Sequence, residues 1–255
     1  MDDERIATHR DFLKDSLRLS IDFRQTDQNR GVSPPPVQKP PREDQSLIPL
    51  PQREDFSEFA GADLLAAIEN RQSHRRFQDA SLSLAELAFL LWATQGIRQV
   101  LQPGLALRNV PSAGCRHAFE TYPLVTGVDG LDSGVYRYLP VEHALVLERE
   151  LDRDELRTEL VPAVLGQGFV GTAPVTLAWA TIPYRMEWRY HLAAHRVIAM
   201  DAGHLCQNLY LACAAIGAGT CAIAAYHQKR MDQLLGVDGE DEFTVYLAPV
   251  GRLKS

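Results

Sequence analysis

The chain has 255 residues, with ordinary proportions of hydrophobic (45%) and charged (23%) side chains, enough for one domain with a sizeable core or one domain plus an arm. Its net charge of −7 argues against a protein that tracks nucleic-acid phosphates, which needs a basic face, yet leaves room for a local basic pocket around one small anion. Val175 to Ile182 and Leu205 to Ile216 are too short or too interrupted to span a bilayer. Met1 to Arg10 is charged and has no apolar signal core, so a cytoplasmic location with no membrane partner is expected.

Residues 1–60 differ in character from the rest and are expected to be an N-terminal helix followed by an arm. Residues 4–19 suit a short amphipathic helix with Ile6, Phe12, Leu13 and Leu17 on its apolar side. Seven prolines between Pro34 and Pro51 block helix and interior strand alike. That segment should be extended, either as a tail or as an arm laid on a surface, and Leu47, Ile48 and Leu50 favour the arm.

The compact domain is expected over 61–255. Ala62 to Asn70 reads as a helix with Leu64, Leu65 and Ile68 on one side. Ser83 and Glu86 form a capping-box signature for a helix to Gln95, closed by Gly96. Phe119 to Val125 reads as a strand, and Val135 to Tyr138 with Ala144 to Leu147 as a hairpin around Leu139-Pro140. Asp152 to Leu165 returns to helix. Pro174 to Thr181 is apolar on both sides, as in a central strand. A long helix over His191 to Ile216, a short one over Met231 to Leu235 and a closing strand over Thr244 to Val250 complete an α+β pattern.

Four segments have chemical potential. In Arg71-Gln72-Ser73-His74-Arg75-Arg76-Phe77, an extended chain would point Arg71, Ser73 and Arg75 the same way. Two guanidinium groups around a hydroxyl suit a phosphate; a solvated basic turn is the other reading. Pro111-Ser112-Ala113-Gly114 is a small-residue turn that would let backbone approach a planar ligand, or is only a turn. Gly217 to Ala225 either leaves backbone N–H groups open to a ligand or caps the long helix and feeds a strand. Pro249-Val250-Gly251-Arg252 puts an arginine at a strand end. His191 and His195 stand at i and i+4, but no further ligand completes a metal set. Cys115, Cys206, Cys213 and Cys221 contain no Cys-x-x-Cys pair and read as structural thiols.

In this order, Arg71 to Phe77, Leu90-Leu91-Trp92-Ala93-Thr94-Gln95-Gly96, Pro111 to His117 with Glu120 and Tyr122, Asp201-Ala202-Gly203-His204 with Gln207-Asn208, and Gly217 to Tyr226 resemble the nitroreductase superfamily, specifically its SagB-type (thiazole and oxazole oxidase-like) branch. The resemblance covers Ala62 to Arg252. It implies a nitroreductase-like fold, a central mostly antiparallel sheet flanked by helices, in a homodimer with FMN at the interface. Arg71 and Arg252 would then bind the FMN phosphate, with Gln72 beside them and Ser73 on the ribityl or ring edge. Arg75 would approach flavin N1 and the C2 carbonyl, where a cation stabilises the reduced ring. Pro111, Ser112, Ala113 and Gly114 would come from the partner subunit. The Ala224 N–H would face N5 with Ala225 next to it, and Gln167 would meet the pyrimidine edge.

Two departures from the branch stand out: Ala224 where relatives have Gly, and Trp188-Arg189-Tyr190 where azoline oxidases have a Lys-Tyr pair. Tyr190 is the candidate acid or base; Arg189 effectively cannot lose its proton. The reading is an FMN-dependent oxidoreductase carrying hydride from NAD(P)H through N5 to a small electrophile such as a nitroaromatic or quinone. Alternatives are azoline oxidation in a peptide, a non-catalytic flavin-binding scaffold and a His191/His195 metal enzyme.

Overall fold

The computed structural model describes residues 2–254. In chain order the elements are α1 (Asp2–Asp11), β1 (Ile48–Pro49), α2 (Leu64–Asn70), α3 (Leu84–Gln95), β2 (Ile97–Gln102), β3 (Leu105–Arg108), β4 (Phe119–Val125), β5 (Gly134–Leu139), β6 (Ala144–Glu150), α4 (Arg153–Ala163), β7 (Val175–Thr181), α5 (Tyr184–Tyr190), α6 (Ala194–Ala215), β8 (Ala218–Thr220), α7 (Gln228–Leu235) and β9 (Phe243–Arg252). Seven strands form one sheet in the order β1-β6-β5-β4-β7-β9-β8, every neighbouring pair antiparallel, while β2 and β3 make a separate hairpin. This is the α+β architecture expected.

The alternation of strand side chains produces two cores. Along β7, Val175, Leu177 and Trp179 face one side of the sheet, and Ala178 and Ala180 the other. The first side is covered by α3 and α6 through Leu87, Leu90, Leu91, Leu205 and Leu209. The second is covered by α4 and α7 through Leu156, Leu160, Met231 and Leu234. Helix α3 starts where the sequence signals it: Ser83 Oγ accepts from the Glu86 N–H, and the Glu86 carboxylate accepts from the Ser83 N–H. Helix α4 repeats the device with Asp152 and Glu155.

The N-terminal region departs from expectation in two ways. The amphipathic helix ends at Asp11, a 3-10 turn follows at Ser16–Ser20, and Ile6, Phe12, Leu13 and Leu17 are exposed. The packing boundary also falls before Gly61, because Leu50, Phe56 and Phe59 already lie in the first core and β1 is an edge strand of the main sheet. Three buried arginines explain why the proline-rich arm is docked. Arg108 donates to the Val37 carbonyl, and Arg137 to the carbonyls of Lys39 (2.6 Å) and Pro40 (3.1 Å). Arg185 pairs with buried Glu120, whose Oε1 also accepts from the Lys39 N–H at 2.7 Å. Further upstream the arm grips α5: the Gln28 N–H donates to the Trp188 carbonyl, Trp188 Nε1 to the Val32 carbonyl, and Tyr184 to Asp27. Among the described residues, no helix is long and apolar enough to cross a membrane.

Candidate functional site

Arg71 caps the end of α2, and the chain leaves it extended and exposed as far as Phe77, which bridges to Leu253. Arg71 and Ser73 meet at one side chain. The Arg71 guanidinium stands 5.0 Å from the Tyr210 ring centroid, and Ser73 Oγ shares a 2.8 Å hydrogen bond with the Tyr210 hydroxyl. The same hydroxyl accepts from the Ala222 N–H at 2.9 Å. Tyr210 thus links the basic segment to the small-residue segment after α6. Sequence reasoning missed it, since a tyrosine inside a buried helical run reads as core.

Arg71, Gln72 and His74 line a cavity of about 620 Å3 between α2 and the C-terminal end of α6, closed by Tyr210, Gly217, Gly219 and Leu253. Gly219 is required there: an added Cβ would lie 2.3 Å from the Leu253 side chain and 2.8 Å from the His74 ring. Arg75 does not line this cavity; it borders the neighbouring depression with Arg76 and Lys254.

Ala224 and Ala225 are exposed beyond the Tyr210 contact. Gln167 is brought to them, its amide donating to the carbonyls of Ala225 (2.9 Å) and Val164 (3.0 Å). Arg252 has different partners from those expected. One of its nitrogens donates to the Ile216 carbonyl at the end of α6, and another pairs with Glu86. Both terminal nitrogens of Arg252 thus have a partner within the chain, while its Nε has none among the described residues.

Pro111 to Gly114 lie elsewhere on the chain, against α5 and the start of α6. Gly114 has a left-handed backbone (φ 58°), and a Cβ there would come within 2.7 Å of the Tyr190 hydroxyl and 2.8 Å of Arg189 Nε. Arg189 Nε donates to the Tyr190 hydroxyl at 3.2 Å. Behind the turn, Asp201 faces the Ser112 hydroxyl and Ala113 N–H; burial pushes its carboxyl above the usual range, and its Oδ2 has no partner. Asp201 and Tyr210 are nine residues apart on α6, so about 13–14 Å of helix separates the turn from the Arg71 cradle. On a single copy the two candidate segments therefore stand apart.

The histidine pair loses its premise. His191 sits before α6 with φ 49°, so it shares no helix face with His195, which bonds Glu187 at 2.8 Å. Among the described residues no group of three or more His, Cys, Asp or Glu could hold a metal ion. Cys206, Cys213 and Cys221 are buried free thiols, and Cys115 is a partly exposed one.

Comparison with known proteins finds a family profile described as "Nitroreductase family" matching residues 68–252. A Methanocaldococcus jannaschii protein named as a nitroreductase is 33% identical over 201 residues, 79% of this chain and 95% of that one. The trifolitoxin operon protein TfxC of Rhizobium leguminosarum bv. trifolii is 27% identical over 207 residues, 76% of this chain; this chain spans only 56% of TfxC. A solved structure named as a nitroreductase from Ralstonia eutropha superposes with a TM-score of 0.67 at 28% identity, over 87% of this chain and 98% of that chain.

Proposed function

Because the chain belongs to the nitroreductase family and resembles its SagB-type branch, we propose that it is a cytoplasmic, homodimeric FMN-dependent oxidoreductase, taking hydride from NAD(P)H and reducing a small electrophile such as a nitroaromatic or quinone. The observation that carries this reading is the junction at Tyr210, whose hydroxyl holds Ser73 and the Ala222 backbone and whose ring holds Arg71, beside a cavity of about 620 Å3. A cavity of that size suits a cofactor.

FMN, when bound, supplies the redox chemistry, and the protein supplies placement and charge. Arg71, which makes no ion pair among the described residues, offers its fork to the phosphate, with Gln72 adjacent and Ser73 reaching the ribityl chain. Arg75 brings positive charge toward the pyrimidine side of the ring. The exposed backbone at Ala224 and Ala225, steadied by Gln167, offers an N–H to N5. Pro111 to Gly114 of a second copy would cover the ring, since on one chain they stand too far along α6 to meet Arg71. Tyr190, its hydroxyl held by Arg189, would then present a proton beside that turn.

Two measurements test this. The purified protein should show flavin absorption, and stopped-flow mixing with NADH or NADPH should bleach it, followed by reoxidation with a quinone or nitroaromatic. Bound FMN that neither nicotinamide reduces would leave a flavin-binding scaffold instead. In Arg71→Ala, flavin should be lost on dilution, the missing charge-assisted contact costing about 1.5–3 kcal/mol; unchanged occupancy would remove Arg71 from the phosphate grip.

The resemblance to the SagB-type branch supports a second reading, oxidation of azoline rings in a peptide. Arg189 weighs against it, because a guanidinium does not serve as the base that a lysine can be. Turnover of an azoline peptide with oxygen as acceptor would favour it over nicotinamide-driven reduction.

A further inference from the structure

The Arg71 to Phe77 segment borders a second opening. Ser73, His74, Arg75 and Arg76 surround, with Leu253 and Lys254, a depression of about 500 Å3 that adjoins the Arg71 cavity through His74 and Leu253. Through Lys254 it continues into another of about 430 Å3, bordered by Arg157, Gly168, Gly171 and Thr172. The trough thus runs from the candidate phosphate cradle to Gly168, the neighbour of the Gln167 whose amide holds Ala225.

Its charge is unusual for a chain of net charge −7. Arg75, Arg76 and Arg157 form no ion pair among the described residues. Arg157 Nε is buried without a hydrogen-bond partner. Among the described residues bordering the two depressions the only carboxylate is Asp79, and Arg153 holds it at 2.8 Å. Guanidinium groups left unpaired around a concavity suit phosphate oxygens. An extended peptide fits less well, because the backbone edge is already used: the His74 N–H donates to Thr220 and the Gln78 N–H to Arg252.

We propose that the trough of Arg76, Lys254 and Arg157 binds the phosphorylated adenosine end of a nicotinamide dinucleotide and selects the form carrying a 2′-phosphate. The two singly charged phosphates of the plain dinucleotide are matched by Arg76 and Lys254. Arg157, one depression further on, is matched by a third phosphate bearing close to two negative charges. The inference rests on the flavin reading for the role of the rest of the dinucleotide.

The test is calorimetric titration of the purified protein with adenosine 2′,5′-bisphosphate and with adenosine 5′-monophosphate. The bisphosphate should bind at least about tenfold more tightly. In R76Q/R157Q that preference should disappear, with flavin absorption and thermal midpoint unchanged. Equal affinity for the two probes, or a preference retained in the double variant, overturns the proposal. Should the variant fail to fold, the two probes on the unaltered protein still decide. A protein that binds no FMN yet prefers the bisphosphate would refute the flavin reading and leave the trough standing.

Discussion

Tyr210 and Glu86 carry more of the candidate site than their surroundings suggest. Tyr210 does so through a hydroxyl with two partners, and Glu86 by capping α3 while holding Arg252. The Glu86 cap on Ser83 was legible in the sequence; the Glu86–Arg252 pair and the Tyr210 junction were not, since those partners lie more than ten residues away. His117 is a third residue whose setting the fold decides. It is buried among Arg108, Arg116 and Arg185, and burial, with Arg108 next, pushes its imidazole down to about 3 from an ordinary 6.5. The folded state therefore keeps His117 neutral, while the unfolded chain takes up a proton below about pH 6.5. Stability falls as pH drops through that window and levels off near pH 3. His117→Gln should remove one proton from this dependence, a slope of at most about 1.4 kcal/mol per pH unit. Urea midpoints from pH 7 to 4 would check it; parallel profiles for the two proteins would count against a neutral buried His117.

Among the elements, those with local signals were readable. The Ser83/Glu86 box starts α3, Asp152 starts α4, and the apolar run of β7 crosses the middle of the sheet. The α5 helix and the β2–β3 hairpin were missed, being short and stabilised by what they pack on, while β8 was read as one of two alternatives for Gly217 to Ala225. The arm shows the same dependence at greater length. Its prolines exclude regular structure, so its backbone carbonyls need donors, and Arg108 and Arg137 provide them from buried positions. Arg137→Met should therefore cost about 3–5 kcal/mol, because Glu148 and Glu120 would stay buried with fewer cations. It should also speed tryptic cleavage after Arg42. A variant as stable and as protease-resistant as the parent would show that the arm is held by other contacts.

At the scale of the whole molecule, the separation of the two candidate segments along α6 is what the proposed sharing of a flavin between two copies rests on. The exposed apolar side chains agree: Leu64, Leu65 and Ile68 on α2 and Met200 on α6 are between 48% and 73% exposed. Light scattering should give twice the chain mass, and Met200→Glu should lower that mass and release FMN together. A monomer that keeps its flavin would sink the shared-site arrangement.

The sequence by itself determined the α+β class, the helix caps, the central strand and the ordered segments that mark the family. These depend on periodicity, local hydrogen bonding and short spacing. Only the tertiary structure decided what Arg252 and Tyr210 touch, that the arm is part of the fold, and that the two halves of the candidate site stand apart. Those outcomes depend on contacts between distant residues, where burial turns a charge or hydroxyl into an obligation to find a partner.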